Sequence, residues 1–281
     1  MIRFGPSGNS IAFYDEGYKH TYEAMKWVAD MGLNAYEYSF GRGVRIKEES
    51  ANKIADEAEK YGIALSVHAP YFINLASDDE EKFEKNVNYF ADASKAATWL
   101  RAKRVIFHPG SCAKIDRTQA FEWTKANLKR MLCRMDELGY THMHYCPETM
   151  GKINQVGDLN EVIELCRVDE RLIPTIDFGH LHTRGIGAIN TADDFEKILV
   201  SLIDGLGKER VKHFHVHFSK IAYTGMGEKM HVTFDDEGYG PDFSLLAPLL
   251  KKYGLEPNIV CESNGTMAKD AKTMKEMYEK A

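Results

Sequence analysis

Six side chains able to hold a metal stand at matching points along the chain. His68 closes the apolar run "IALSVH" and His108 closes "AKRVIFH". Glu148 follows "HMHYCP", Asp177 follows "LIPTI", His215 lies in "VKHFHVHF" and Glu262 follows "PNIVC". A lone histidine at such a point is more often a hydrogen-bonded structural residue, and a lone carboxylate is often a helix cap. Six together are harder to explain that way. Brought to one place, Glu148, Asp177 and Glu262 would repel one another strongly unless cations lay between them. A mixed set of imidazoles and carboxylates suits zinc, with manganese or iron as alternatives. One zinc takes about four ligands. Three histidines and three carboxylates, with His180 besides, therefore point to two or three ions. Clustered divalent ions activate water and clamp the oxygens of an in-line phosphoryl displacement, which favours phosphoester hydrolysis.

These residues need elements that end in one place. The chain repeats a short apolar strand, a polar loop and an amphipathic helix eight times. Strands are expected at 2–8, 33–40, 63–70, 102–110, 142–148, 172–180, 211–218 and 257–263. Helices are expected near 20–32, 48–61, 79–99, 116–138, 158–167, 192–204, 243–253 and 267–280. Strict alternation favours a parallel sheet, and eight units favour closure into a single (β/α)8 TIM barrel over 1–281. Strand C-termini then share the rim where barrel active sites sit. A doubly wound open sheet is the rival, but "GPSGNS" lacks the G-x-G-x-x-G spacing of a dinucleotide turn.

Composition narrows the class. With 281 residues, 44% of them apolar, the chain can bury one large core. A net charge of −6 gives no global case for polyanion binding, which would need a local basic patch or metal ions. The basic cluster "RAKR" at 101–104 precedes the fourth strand, so it is expected on the opposite rim as a solvated face. Five scattered cysteines without C-x-x-C suit reduced thiols. There is no signal-like segment and no membrane-length apolar run, so a soluble, cytoplasmic, monomeric protein is expected.

The motifs "VHAPYFINLAS", "IFHPGS", "PETMG", "TIDFGH", "FHVHFSK" and "VCESNG", in that order, resemble those of the endonuclease IV family. These are zinc-dependent apurinic/apyrimidinic endonucleases on a xylose isomerase-like TIM barrel. The resemblance implies one zinc on His68, His108 and Glu148, with Glu148 bridging to a second on Asp177, His215 and Glu262. His180 would help hold a third. It also implies a metal-bridging hydroxide, oriented by Glu262, that cleaves double-stranded DNA 5′ to an abasic site in base excision repair. Tyr71 and Phe72 stand where the family inserts side chains into the duplex, and Arg42 or Arg45 in "GRGVRI" would enter the gap or contact phosphate. The family completes its third zinc site with Asp-x-His. Here "GMGEKMHVTFDDEGYG" offers His231 with Glu228 at a different spacing, and Asp235 or Asp236 as substitutes. Within "HFHVHFSK", His215 matches the family ligand. His217 is read as a supporting or phosphate-contacting group, and His213 as a deeper polar member of the barrel interior.

Two other functions compete. Sugar isomerases and epimerases of the same superfamily use one divalent ion on a Glu, Asp, His, Glu quartet, which Glu148, Asp177, His215 and Glu262 also match. Glu148 and Glu262 would then be paired acid and base. A non-catalytic metal-binding barrel is the third reading.

Overall fold

A computed structural model describes all 281 residues. The short apolar runs, buried on both faces, yield eight parallel strands: β1 (Arg3–Pro6), β2 (Ala35–Ser39), β3 (Ala64–His68), β4 (Arg104–Phe107), β5 (His144–Pro147), β6 (Thr175–Asp177), β7 (His215–Phe218) and β8 (Asn258–Cys261). Each is followed by a helix: α1 (Thr21–Asp30), α2 (Glu48–Tyr61), α3 (Glu80–Trp99), α4 (Arg117–Glu137), α5 (Leu159–Cys166), α6 (Ala192–Leu206), α7 (Phe243–Tyr253) and α8 (Met267–Lys280). Hydrogen bonding runs β1–β8–β7–β6 on one side and β2–β3–β4–β5 on the other. Parallel bridges pair Ser7 with Glu37 and Glu148 with Thr175, which joins the two halves into a closed barrel.

Local chemistry sets the helix ends. Asp79 accepts from the Lys82 amide at 3.1 Å to start α3, and Asp158 and Glu161 form a capping box at α5. Left-handed Gly62 and Gly254 end α2 and α7. The main apolar core lies between strands and helices and includes Phe4, Val67, Phe107, Tyr145 and Phe178. The barrel interior is more polar. Ser66 from β3 and His215 and His217 from β7 all meet Glu37 from β2.

The seventh strand, expected over 211–218, begins only at His215 after a short helix, Lys208–Val211, and two regions near the strand ends also differ from the sequence expectation. The segment after β7 is not an open loop: strands Ile221–Thr224 and Gly227–His231 form an antiparallel hairpin. The sixth strand stops at Asp177, where a short helix, Phe178–Arg184, begins. His180 therefore sits in the first turn of that helix. No helix is long and apolar enough to cross a membrane.

Candidate metal centre

Glu148 is the hub. It follows β5, is buried, and has both carboxylate oxygens engaged. Its Oε2 lies 3.1 Å from His68 Nε2 and 3.2 Å from His108 Nε2. Its Oε1 accepts from His217 Nδ1 at 2.8 Å and lies 3.5 Å from His180 Nδ1. His68 closes β3 and His108 follows β4, so adjacent strand ends deliver both rings.

His217, not His215, faces the acidic group. Its Nδ1 lies 3.7 Å from Glu262 Oε2, and ligand atoms of Glu148, Asp177, His217 and Glu262 lie within 4.8 Å of one another. The expected order of the two histidines is reversed, and strand register is the cause. β6 pairs Asp177 with His217 and Thr175 with His215. His215 is thus two residues deeper, about 6–7 Å along the strand. There it is fully buried, with Nε2 3.1 Å from Glu37 Oε2. His213 is also displaced from its expected place: it precedes β7, is exposed, and its ring meets the Glu256 carbonyl outside the barrel interior.

A second group forms at the hairpin. Ligand atoms of His180, Glu228 and His231 lie within 4.8 Å of one another, with His180 Nε2 3.6 Å from Glu228 Oε2. Glu228 and His231 are three residues apart, a spacing that points side chains to opposite faces of a regular strand. The hairpin pairs Tyr223 with Glu228 but Ala222 with Met230, so Lys229 is an extra, bulged residue that restores the shared face. Gly151 makes room, since a Cβ there would lie 2.7 Å from that of Glu228. Asp235 and Asp236 stand outside this group, Asp235 paired with Lys269 and Asp236 capping Thr233.

Hydrogen bonds fix the histidine tautomers. His68 Nδ1 donates to the Ala69 carbonyl at 2.8 Å, and His180 Nδ1 to that of Thr149 at 2.8 Å. Ser219 Oγ holds His231 Nδ1 at 2.7 Å. Each arrangement leaves Nε2 as the ring atom that can act as a ligand. His217 is held from both sides, with Nε2 donating to Glu37 Oε1 at 2.9 Å. Sequence reasoning missed Glu37. Its only signal was a carboxylate in the middle of a buried strand, "AYEYS".

The electrostatics record a site crowded with charge. Burial acts against ionising His68, but its hydrogen bond to Glu148 and the charges of Glu148 and Glu37 together outweigh this and raise its pKa to about 9. His180 is likewise raised to about 9, burial being outweighed by Asp177 and Glu148. Burial opposes the charge on Glu148, yet His217, His108 and His68 hold it well below the usual carboxylate range. Asp177 moves upward because burial dominates. Its Oδ1 accepts from the His180 amide at 2.7 Å, whereas Oδ2 is buried without a hydrogen-bond partner. An orphaned carboxylate oxygen among imidazoles and other carboxylates fits a divalent cation.

The groups open into a cavity of about 370 Å³, lined in part by His68, Tyr71, His108, Glu148, Lys152 and Glu262. Tyr71 and Phe72 are exposed and pack together, ring centroids 4.4 Å apart. Lys152 was not singled out from sequence. Arg184 positions its loop by donating to the Met150 and Lys152 carbonyls. Arg42 and Arg45 are exposed and do not line this cavity; Arg45 borders a separate one with Lys47 and Lys53.

Residues 25–280 match the family described as "Xylose isomerase-like TIM barrel". The chain belongs to that family. Among its relatives, an uncharacterized protein of Methanocaldococcus jannaschii is 33% identical over 94% of this chain and 92% of its own. A probable endonuclease 4 of Mycoplasmoides gallisepticum is 28% identical over 72% of this chain and 75% of its own. Endonuclease IV from Thermus thermophilus superposes with a TM-score of 0.72 at 20% identity, covering 99% of this chain and 100% of that one. D-psicose 3-epimerase from Clostridium cellulolyticum superposes with a TM-score of 0.68 at 13% identity, covering 99% of each chain. At such identities these superpositions establish the fold alone.

Proposed function

We propose that this protein is a metal-dependent phosphodiester hydrolase that cleaves duplex DNA 5′ to abasic sites. The observation that carries this reading is the occupation of both Glu148 oxygens by imidazoles from β3, β4 and β7. A carboxylate held from three sides serves as a shared ligand and is poorly placed to shuttle a proton. One position would be His68, His108 and Glu148; a second, Glu148, Asp177, His217 and Glu262; a third, His180, Glu228 and His231. Zinc suits these donors, as do manganese and iron. Bound there, divalent ions supply an activated water and neutralise charge on the attacked phosphate.

The chain's own residues do the rest. Glu37 orients His217, and Ser219 orients His231. Lys152 reaches the cavity without an acidic partner and is placed to contact a phosphate flanking the lesion. The Tyr71–Phe72 pair offers an apolar wedge of the kind that unstacks bases, which would expose the lesion to the cavity.

A second reading keeps a specific support. Glu148, Asp177, His217 and Glu262 at the ends of β5 to β8 form the quartet of a one-metal sugar epimerase. One assay separates the two. Metal-loaded protein is given an abasic-site duplex and, in parallel, a ketohexose, each with and without chelator. Chelator-sensitive nicking of the duplex is expected; ketose turnover without nicking would overturn the hydrolase.

A further inference from the structure

We propose that the N-terminal mouth of the barrel is a separate site that binds a phosphate group carried on a small molecule with an apolar edge. A cavity of about 580 Å³ lies there, among the residues that open β1, β3, β4 and β8. The two acidic side chains that line it are already paired. Glu59 is held by Arg101 at 2.7 Å, and Arg101 also takes Asp56 at 2.6 Å. Glu256 holds the amino terminus at 2.5 Å, with His213 Nδ1 3.9 Å away.

Arg3, Lys103 and Arg104 remain, and none has a carboxylate within ion-pair distance. Arg104 reaches across the barrel from β4 and donates to the His213 carbonyl at 2.5 Å and the Phe214 carbonyl at 3.4 Å. Arg3 donates to the Asn34 carbonyl at 3.2 Å. These bonds fix two guanidinium groups in place but do not neutralise them. Burial, with the Arg3 charge adding to it, depresses the Arg104 pKa. Partly buried cations without counter-charge are unusual, and here two of them, with exposed Lys103 alongside, border one cavity on a chain of net charge −6.

A phosphate group answers that unpaired charge. Its charged oxygens match guanidinium forks and an ammonium group. Three terminal oxygens can serve Arg3, Lys103 and Arg104 together, where a carboxylate offers two. Ala55, Ala58, Ile63, Leu65, Leu100 and Pro257 form an apolar wall for the remainder of the molecule.

Metal-loaded, full-length protein should be titrated calorimetrically with inorganic phosphate and with phenyl phosphate, as wild type, Lys103→Glu and Arg3→Gln. Lys103 is exposed, so its reversal leaves the fold intact. One phosphate-binding event should weaken about tenfold or more in both variants, as expected when a charged hydrogen bond is lost. Nicking activity should stay at the wild-type level, because the metal groups lie at the other end of the strands. Tighter binding of phenyl phosphate identifies an organic phosphate as the occupant. Affinities unchanged in both variants would overturn the proposal, since any remaining binding would then belong to the metal centre.

Discussion

The two mouths of this barrel are built from the same eight strands and carry opposite chemistry. The C-terminal mouth gathers imidazoles and carboxylates that engage one another and still leave Asp177 Oδ2 unpartnered. The N-terminal mouth gathers Arg3, Lys103 and Arg104 with no acidic partner. One end is incomplete without cations and the other without an anion. The barrel interior separates them, and Glu37, Ser66 and His215 form its polar middle. The contrast teaches that position along a strand selects the chemistry. Two residues of depth on β7 separate a histidine that meets Glu148 and lies near Glu262 from one that meets Glu37 alone.

The largest expected effect is at the hub. Glu148→Gln should lose metal and cleavage together, because it removes the charge shared by three imidazoles. Elemental analysis of the purified variant beside a nicking assay checks this, and a variant that keeps its metals would break the contrast between the mouths. Next comes the pair on β7. His217→Ala should lose about one metal per chain. His215→Ala should keep its metals and instead lose stability on the order of 2–5 kcal/mol, as a fully buried ring gives way to a cavity. The opposite pattern would restore His215 as the ligand.

A smaller effect is expected from Glu37→Gln, which preserves shape but weakens the acceptor behind His217. Loss of such a supporting carboxylate typically costs about 10–100-fold in metal affinity or activity. Metal titration should show it, and unchanged affinity would reduce Glu37 to packing. The smallest effect is pH dependence. In the metal-free protein His68 and His180 are raised to about 9, above the ordinary 6.5. The stability they contribute is complete below about 6.5 and is lost as pH rises through about 9. Metal must displace those protons. Apparent metal affinity should therefore climb over that window, by up to about tenfold per pH unit for each proton released. His215 behaves oppositely. Burial lowers it to about 4, so its contribution is present above 6.5 and lost as pH falls toward 4. Thermal unfolding of chelated protein across pH separates the two trends.

Much of this was legible in the sequence. Alternating strands and helices define the barrel, and strand-end side chains fall on one rim whatever the details of packing. The choice between His215 and His217 was not legible, because period two puts both on one face and only pairing with β6 sets their depth. The Glu228–His231 spacing looked wrong because a bulge leaves no mark in the sequence. Glu37 was missed because its partners come from β3 and β7, far away in the chain. The "RAKR" cluster read as a solvated face. It borders a cavity only because Arg3, Asn258 and Pro257 meet it there.

The account rests on a multinuclear C-terminal mouth, and the most direct test is the number of divalent ions bound per chain in protein purified without chelator. Two or three ions are predicted, falling by about one in His217→Ala. A single ion per chain, unchanged by loss of His68 or His108, would contradict the account and leave the one-metal quartet as the better description.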